Sequence, residues 1–248
     1  MNGIAQTEAA SLAEGRVRGL WWKGLCGIWM AALILAVFGW LGPAVNAEGQ
    51  PMFTAGGHGA KAIFFHVPCA WLTFIAFLVG AFYAARHLLR GARPHAGLDD
   101  LKCATAMELG LLFAVLATVT GSLFSRNEWG AFWSWDPRQT SILVVLLILA
   151  AYGVLRGSVT DPSTRARLSS VYAVVALVPA FFLIWVLPRV MATLHEGPNQ
   201  TIVGGMIGGN YRAVLYGLAL PAFLSLFVWL FQIRIRLLQL EERAAHGS

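Results

Sequence analysis

AIFFHVPCAWLTFIAFLVGAFYAA, residues 62–85, decides the fold: it runs for 24 positions without Asp, Glu, Lys or Arg. As a helix it rises about 36 Å, enough to cross the ~30 Å hydrocarbon core of a bilayer. Outward from it lie five more apolar runs, at 24–42, 103–125, 139–155, 168–188 and 213–233. Only the third holds an Asp, Glu, Lys or Arg, namely Glu108. The fourth is short, so its ends must lie near the interface. Across the 248 residues, 58% are hydrophobic and only 12% charged, against about 25% charged in soluble domains. That is too little charge to cover a water-facing surface. The expectation is an all-α, polytopic integral membrane protein with six transmembrane helices, forming a single domain over 1–248.

Orientation follows from Lys and Arg, which are enriched in cytoplasmic loops. Thirteen of the 18 basic residues fall in the two tails and the loops at 86–102 and 156–167. Five (Lys61, Arg126, Arg138, Arg189 and Arg212) fall on the other side. Both termini are therefore expected in the cytoplasm, with the loops near 43–61, 126–138 and 189–212 facing outward. The net charge of +6 is explained by this loop bias, and no nucleic-acid partner is expected. The first run ends in Ala44-Val45-Asn46-Ala47, which resembles a signal-peptidase site, but the run is longer than a signal core and is expected to be retained. Cys26, Cys69 and Cys103 form no Cys-x-x-Cys pair, so no disulfide framework is expected, and without Cys-x-x-Cys-His the chain is not itself a c-type cytochrome. The glycine-rich stretch 204–209 is expected to be a flexible outer loop; it is not a phosphate loop. No Walker A motif occurs, so hydrolysis of ATP by that route is excluded and the chain is not expected to be an enzyme.

The chemistry concentrates in the outward loop between spans three and four, Trp129-Gly-Ala-Phe-Trp-Ser-Trp-Asp136-Pro-Arg-Gln-Thr. An interfacial aromatic belt accounts for one or two tryptophans, not for three within seven residues. A local helix would put Trp129 and Trp133 on one face, a rigid apolar platform for a flat aromatic ligand. Asp136-Pro137-Arg138-Gln139 has the form of a helix start, with Asp at the N-cap, Pro at the first position and Gln at the third. Asp136 is thus expected mainly as a cap for span four.

Among the six histidines, His87, His95 and His246 fall with cytoplasmic loop and tail residues, and His58 lies between glycines. His66 sits at the outer head of span two among aromatic residues, and His195 follows span five. A lone histidine of this kind is more often structural than a ligand. Both, however, share the outer surface with the tryptophan loop. Two imidazoles and a flat aromatic platform suit haem with both axial positions filled by histidine. Arg126, Arg138 and Arg189 lie on the same side and suit carboxylates such as the propionates.

The Trp129-Gly130-x-x-Trp133-x-Trp135-Asp136 core resembles the tryptophan-rich motif of the haem-handling proteins of cytochrome c biogenesis. Within that superfamily the whole chain is similar to the cytochrome c maturation protein C (CcmC) family, haem exporter and haem-delivery proteins. The likeness covers length, six spans, His66-Val-Pro at the head of span two and Leu-His195-Glu-Gly between spans five and six. It implies binding of haem b on the outer face of the bacterial cytoplasmic membrane. His66 and His195 would supply the axial ligands, and Trp129, Gly130, Trp133, Trp135 and Asp136 would cradle the porphyrin. It also implies delivery to a haem chaperone (CcmE), together with two ABC-type subunits (CcmA and CcmB) and a small membrane protein (CcmD). Two alternatives stand beside it. The synthase (haem lyase) branch carries histidines inside its spans, and none lies mid-span here. A cofactor-free secondary transporter calls for ionisable residues or broken helices near the midplane, where this chain offers only Glu108, toward the cytoplasmic end, and Pro179.

Overall fold

The computed structural model describes residues 21–46, 49–53, 55–91, 96–194 and 208–247. Six helices in it are long and apolar enough to cross a membrane. They are α1 (Trp21–Trp40), α2 (Ile63–Arg90), α3 (Ala96–Trp129), α4 (Pro137–Ser158), α5 (Pro162–Val190) and α6 (Gly209–Glu241). A 3-10 stretch, Ala55–Ala62, leads into α2. Among the described residues the only strand-like pairing is one bridge, Val45 to Pro51. The chain is therefore an all-α, polytopic membrane protein.

α2 and α3 form the central pair. Gly80 on α2 meets Ala106 on α3, Gly110 on α3 meets Ala76 on α2, and Ala84 and Ala114 are buried small residues on the same two helices, the close-packing pattern that membrane helices use in place of a hydrophobic driving force. The approach is tight: a Cβ at Gly80 would come within 2.9 Å of the Met107 sulfur, and one at Gly110 within 3.1 Å of Ala76 Cβ. On one flank α1 and α6 complete a core of Leu33, Phe64, Phe113, Tyr211 and Phe223. On the other, α4 and α5 complete one of Phe77, Met107, Val145, Leu149 and Ala173. Large apolar side chains such as Phe38, Phe82, Leu147 and Val178 point outward, as a lipid-facing surface requires.

Several helices run beyond the apolar runs. α3 begins seven residues before position 103, and its first turns carry Asp99, Asp100 and Lys102, which the sequence assigns to a loop. Acidic residues near a helix start favour helix through the dipole, and hydropathy detects only the part that lies in hydrocarbon. α4 gains length at its start because Asp136 caps it and Pro137 starts it, and at its other end it runs on to Ser158. α5 opens the same way on Asp161 and Pro162. Pro179 does not break α5: the helix continues into a wide π-turn, Phe182–Val186, after the position where the proline withholds an amide. Two further π-turns lie at Ala36–Trp40 in α1 and Leu215–Ala219 in α6.

The two ends of the bundle differ in chemistry. At the end predicted to be cytoplasmic, carboxylates meet arginines. Asp99, 1% exposed, lies 2.7 Å from Arg90 and 3.6 Å from Arg86. Asp100 accepts two 2.7 Å bonds from Arg156. Further in, Glu108 accepts from Arg234 at 2.7 and 3.2 Å. The opposite end is aromatic, with Phe53 against Phe124, Phe64 against Tyr211, and Tyr211 donating to the Gly42 carbonyl at 2.7 Å. Gly57 is tucked against Pro43 and Ala44 with φ 90°; a Cβ there would meet the Ala44 carbonyl oxygen at 2.5 Å.

Candidate functional site

A cavity of about 150 Å³ opens at the aromatic end, between α2, α3, α4 and α5. His66 from α2, Thr118, Gly121 and Ser122 from α3, Gln139 and Ser141 from α4, and Leu183, Ile184 and Pro188 from α5 line it, together with Trp133 and Arg138. Of the residues singled out by sequence, it gathers His66, Trp133 and Arg138.

The tryptophan loop is built differently from the expectation. α3 ends at Trp129, and 130–136 is not helical. Gly130 takes φ 78° and Trp135 φ 57°, both left-handed, a conformation that costs a non-glycine residue strain. Trp129 and Trp133 therefore do not share a helical face. Trp129 packs edge-on against Phe124 (5.8 Å, 89°). Trp133 turns to the cavity, and Trp135, 70% exposed, stands edge-on to it at 5.8 Å. The platform is one indole at the cavity with a second beside it at the surface.

Buried hydrogen bonds hold this irregular loop. Gln139 accepts from the Ser134 amide at 2.7 Å and donates to Ser125 Oγ at 3.1 Å, and Ser125 Oγ donates to the Ala131 carbonyl at 2.7 Å. Sequence reasoning placed Gln139 in the first turn of α4 and missed this role. Its signal was the run of Thr118, Thr120, Ser122 and Ser125 in an apolar helix, polar groups that need partners when buried. Asp136 is the expected cap, accepting from the Arg138 amide at 2.9 Å. It does more than cap: its second oxygen accepts from the Leu194 amide at 2.6 Å, across 58 residues of sequence. His195 itself lies outside the described residues, as do His95 and the 204–207 part of the glycine-rich loop.

The three arginines part company. The guanidinium of Arg126 donates to the Gly130 carbonyl and lies 5.7 Å from the Phe132 ring centre. That of Arg189 donates to the Trp185 carbonyl and lies 5.1 Å from the Trp185 ring centre. Arg138 alone lines the cavity, and its buried Nε and Nη2 find no hydrogen-bond partner among the described residues. A buried, unpaired donor fork is costly and suits a planar carboxylate that accepts two bonds. His66 is half-buried beside it, with Nδ1 3.0 Å from the Ala117 carbonyl oxygen. Together the cavity offers an imidazole, an indole and an unsatisfied guanidinium.

Fold and site define a six-helix membrane protein with a histidine-bearing polar cavity at one end of the bundle. The chain belongs to the CcmC family, described as heme exporter protein C, which it matches over residues 13–247. It is 30% identical to the heme exporter protein C of Paracoccus denitrificans over 201 residues, 81% of this chain and 78% of that protein. It is 32% identical to the heme exporter protein C of Bradyrhizobium diazoefficiens over 209 residues, covering 82% and 74%. A putative cytochrome c biosynthesis ccmC-like mitochondrial protein of Marchantia polymorpha is 30% identical over 125 residues, half of this chain and 49% of that protein.

Proposed function

We propose that this chain is a haem exporter component of cytochrome c biogenesis. In this reading it binds haem b at the outer, periplasmic face of the bacterial cytoplasmic membrane and hands it to the haem chaperone CcmE. The observation that carries the reading is the meeting of His66, Trp133 and the unpaired guanidinium of Arg138 on one cavity. An imidazole suits iron, an indole suits the porphyrin face, and Arg138 suits a propionate. His195 is the second axial ligand. Its place is supported by the Asp136–Leu194 bond, which ties the residue before it to the start of α4. Arg126 and Arg189 add positive potential around the rim. The cavity, at about 150 Å³, is below the roughly 300–1,000 Å³ of sites that swallow a small molecule. It takes an edge of the macrocycle and leaves the rest, with Trp135, at the surface. Cargo held this way is within reach of a soluble domain. CcmA, CcmB and CcmD are the further partners in this scheme, and the chain itself performs no covalent chemistry. Glu108, the one acid inside an apolar run, is already engaged by Arg234, which removes the main support for a cofactor-free transporter.

The visible spectrum of the purified protein tests this. A low-spin Soret band typical of bis-histidine haem is expected, lost in His66→Ala and in His195→Ala and kept in His87→Ala. A protein free of haem, or unchanged by both substitutions, ends the proposal. The orientation has its own test. A periplasm-active reporter fused after Trp129 should be active and one fused after His95 inactive; the reverse would move the cavity to the cytoplasm.

A further inference from the structure

The way His66 is seated carries an inference beyond its identity as a ligand. Its imidazole lies directly on the backbone of α3 at Gly121. A Cβ built there would come within 2.8 Å of His66 Cε1 and 3.1 Å of Nδ1, closer than a side chain tolerates. Alanine is the better residue inside a helix, so helix formation gives no reason for glycine at this position. One turn earlier, the Ala117 carbonyl lies 3.0 Å from Nδ1. A carbonyl only accepts, so Nδ1 carries the proton and Nε2 keeps the lone pair. Thr120 Oγ1 is 3.4 Å from Nδ1, but it is directed to its own helix, donating to the Leu116 carbonyl at 2.7 Å. Nε2 makes no hydrogen bond among the described residues.

We propose that Gly121 and the Ala117 carbonyl are positioning elements for the haem ligand. The bare backbone at Gly121 is the seat against which the His66 ring lies. The carbonyl one turn below fixes the tautomer, so that Nε2 is the nitrogen offered to iron. This rests on the reading of His66 as an axial ligand. It adds that α3, which supplies no ligand, sets the ring's orientation and basicity. A hydrogen bond from the distal nitrogen of a ligating histidine to a carbonyl raises the donor strength of the other nitrogen. The affinity and reduction potential of the bound haem are therefore set in part by the α2–α3 contact.

The test uses the full-length protein in detergent, with haem as the probe. His66→Gly should lose the low-spin spectrum, and added imidazole should restore it. 1-Methylimidazole has no N–H to give to the Ala117 carbonyl. It should need about ten times the concentration that imidazole needs, the usual size of an outer-shell effect, relative to the ratio found for free haem in the same detergent. In Gly121→Ala, haem retention should fall about tenfold with a shifted reduction potential, and in the His66→Gly/Gly121→Ala double variant imidazole should no longer rescue. Gly153→Ala, on α4 where a Cβ meets nothing within 4 Å, should change neither property. If His66→Gly leaves the spectrum intact, the ligand assignment itself is wrong and the positioning proposal goes with it. If His66→Gly behaves as stated, the two imidazoles rescue equally and Gly121→Ala binds haem normally, the ligand stands and the positioning role is overturned. Should Gly121→Ala fail to accumulate, the comparison of the two imidazoles decides alone, since it changes nothing on α3.

Discussion

Arginine does opposite work at the two ends of this bundle. At the end predicted to be cytoplasmic, Arg86, Arg90, Arg156 and Arg234 all meet carboxylates: Asp99, Asp100 and Glu108. At the cavity end Arg126, Arg138 and Arg189 form no ion pair among the described residues; Arg126 and Arg189 donate to backbone carbonyls, and Arg138 faces the cavity with donors unused. The first group joins helices, its charge cancelled within the protein. The second is not matched by an ion pair among the described residues. The difference lies in the supply of carboxylates: Asp99, Asp100 and Glu108 sit in the first half of α3, and near the cavity Asp136 accepts from two backbone amides.

The sharpest way to break this comparison is to remove one charge at each end. Asp100→Ala strands Arg156 in a mostly buried position and should cost about 3–5 kcal/mol, the penalty for breaking a buried pair. It is measured as loss of membrane-inserted protein and a lowered detergent melting midpoint. Arg138→Gln should do the reverse, leaving protein level and melting unchanged or slightly raised while haem retention falls about tenfold, the size of one lost charge-assisted contact. If both substitutions acted on stability alone, the division between the ends would be false.

A smaller effect sharpens the comparison within the caps. Asp136 and Asp161 both precede a proline and both cap a helix. Asp136→Ala should lose about 1 kcal/mol of stability, and Asp136→Asn should keep the cap while loosening Leu194, lowering haem retention at normal protein level. Asp161 is solvent-exposed and its bonds are local. Hydrogen bonds from Thr164, then Ser163, hold its carboxyl down to about 2. A folded-state value below that of the unfolded chain means that its contribution is present above pH 4 or so and fades as pH falls toward 2. Asp161→Asn at neutral pH should leave haem retention untouched. A haem defect there equal to that of Asp136→Asn would remove the special role given to the Leu194 contact.

The six helices were legible because 20-odd apolar residues in a row have few other uses. Their ends were not, because a helix that leaves the hydrocarbon turns polar and reads as loop, as Asp99, Asp100 and Lys102 do. His66, Trp133 and Arg138 could be chosen by residue type and side of the membrane. The shared face of Trp129 and Trp133 failed because it assumed helical periodicity across Gly130, where the backbone turns left-handed. Gln139 and Gly121 stayed hidden for a different reason. What each does depends on which helix lies opposite, and no pattern along one strand of sequence states that.

The three π-turns among the described residues share one property: all lie in the cavity-side halves of α1, α5 and α6, while α2, α3 and α4, which carry His66, Gly121 and Arg138, have none. Such a turn amounts to one extra residue in a helix, and an extra residue rotates everything beyond it by about 100°. Leu183 and Ile184, on the turn in α5, line the cavity. A single-residue insertion or deletion there would change which side chains face the cavity and would also turn Leu194, beyond it on the chain, away from Asp136. The helices that carry His66, Gly121 and Arg138 keep regular α-helical winding, and the wider turns fall on the wall around them.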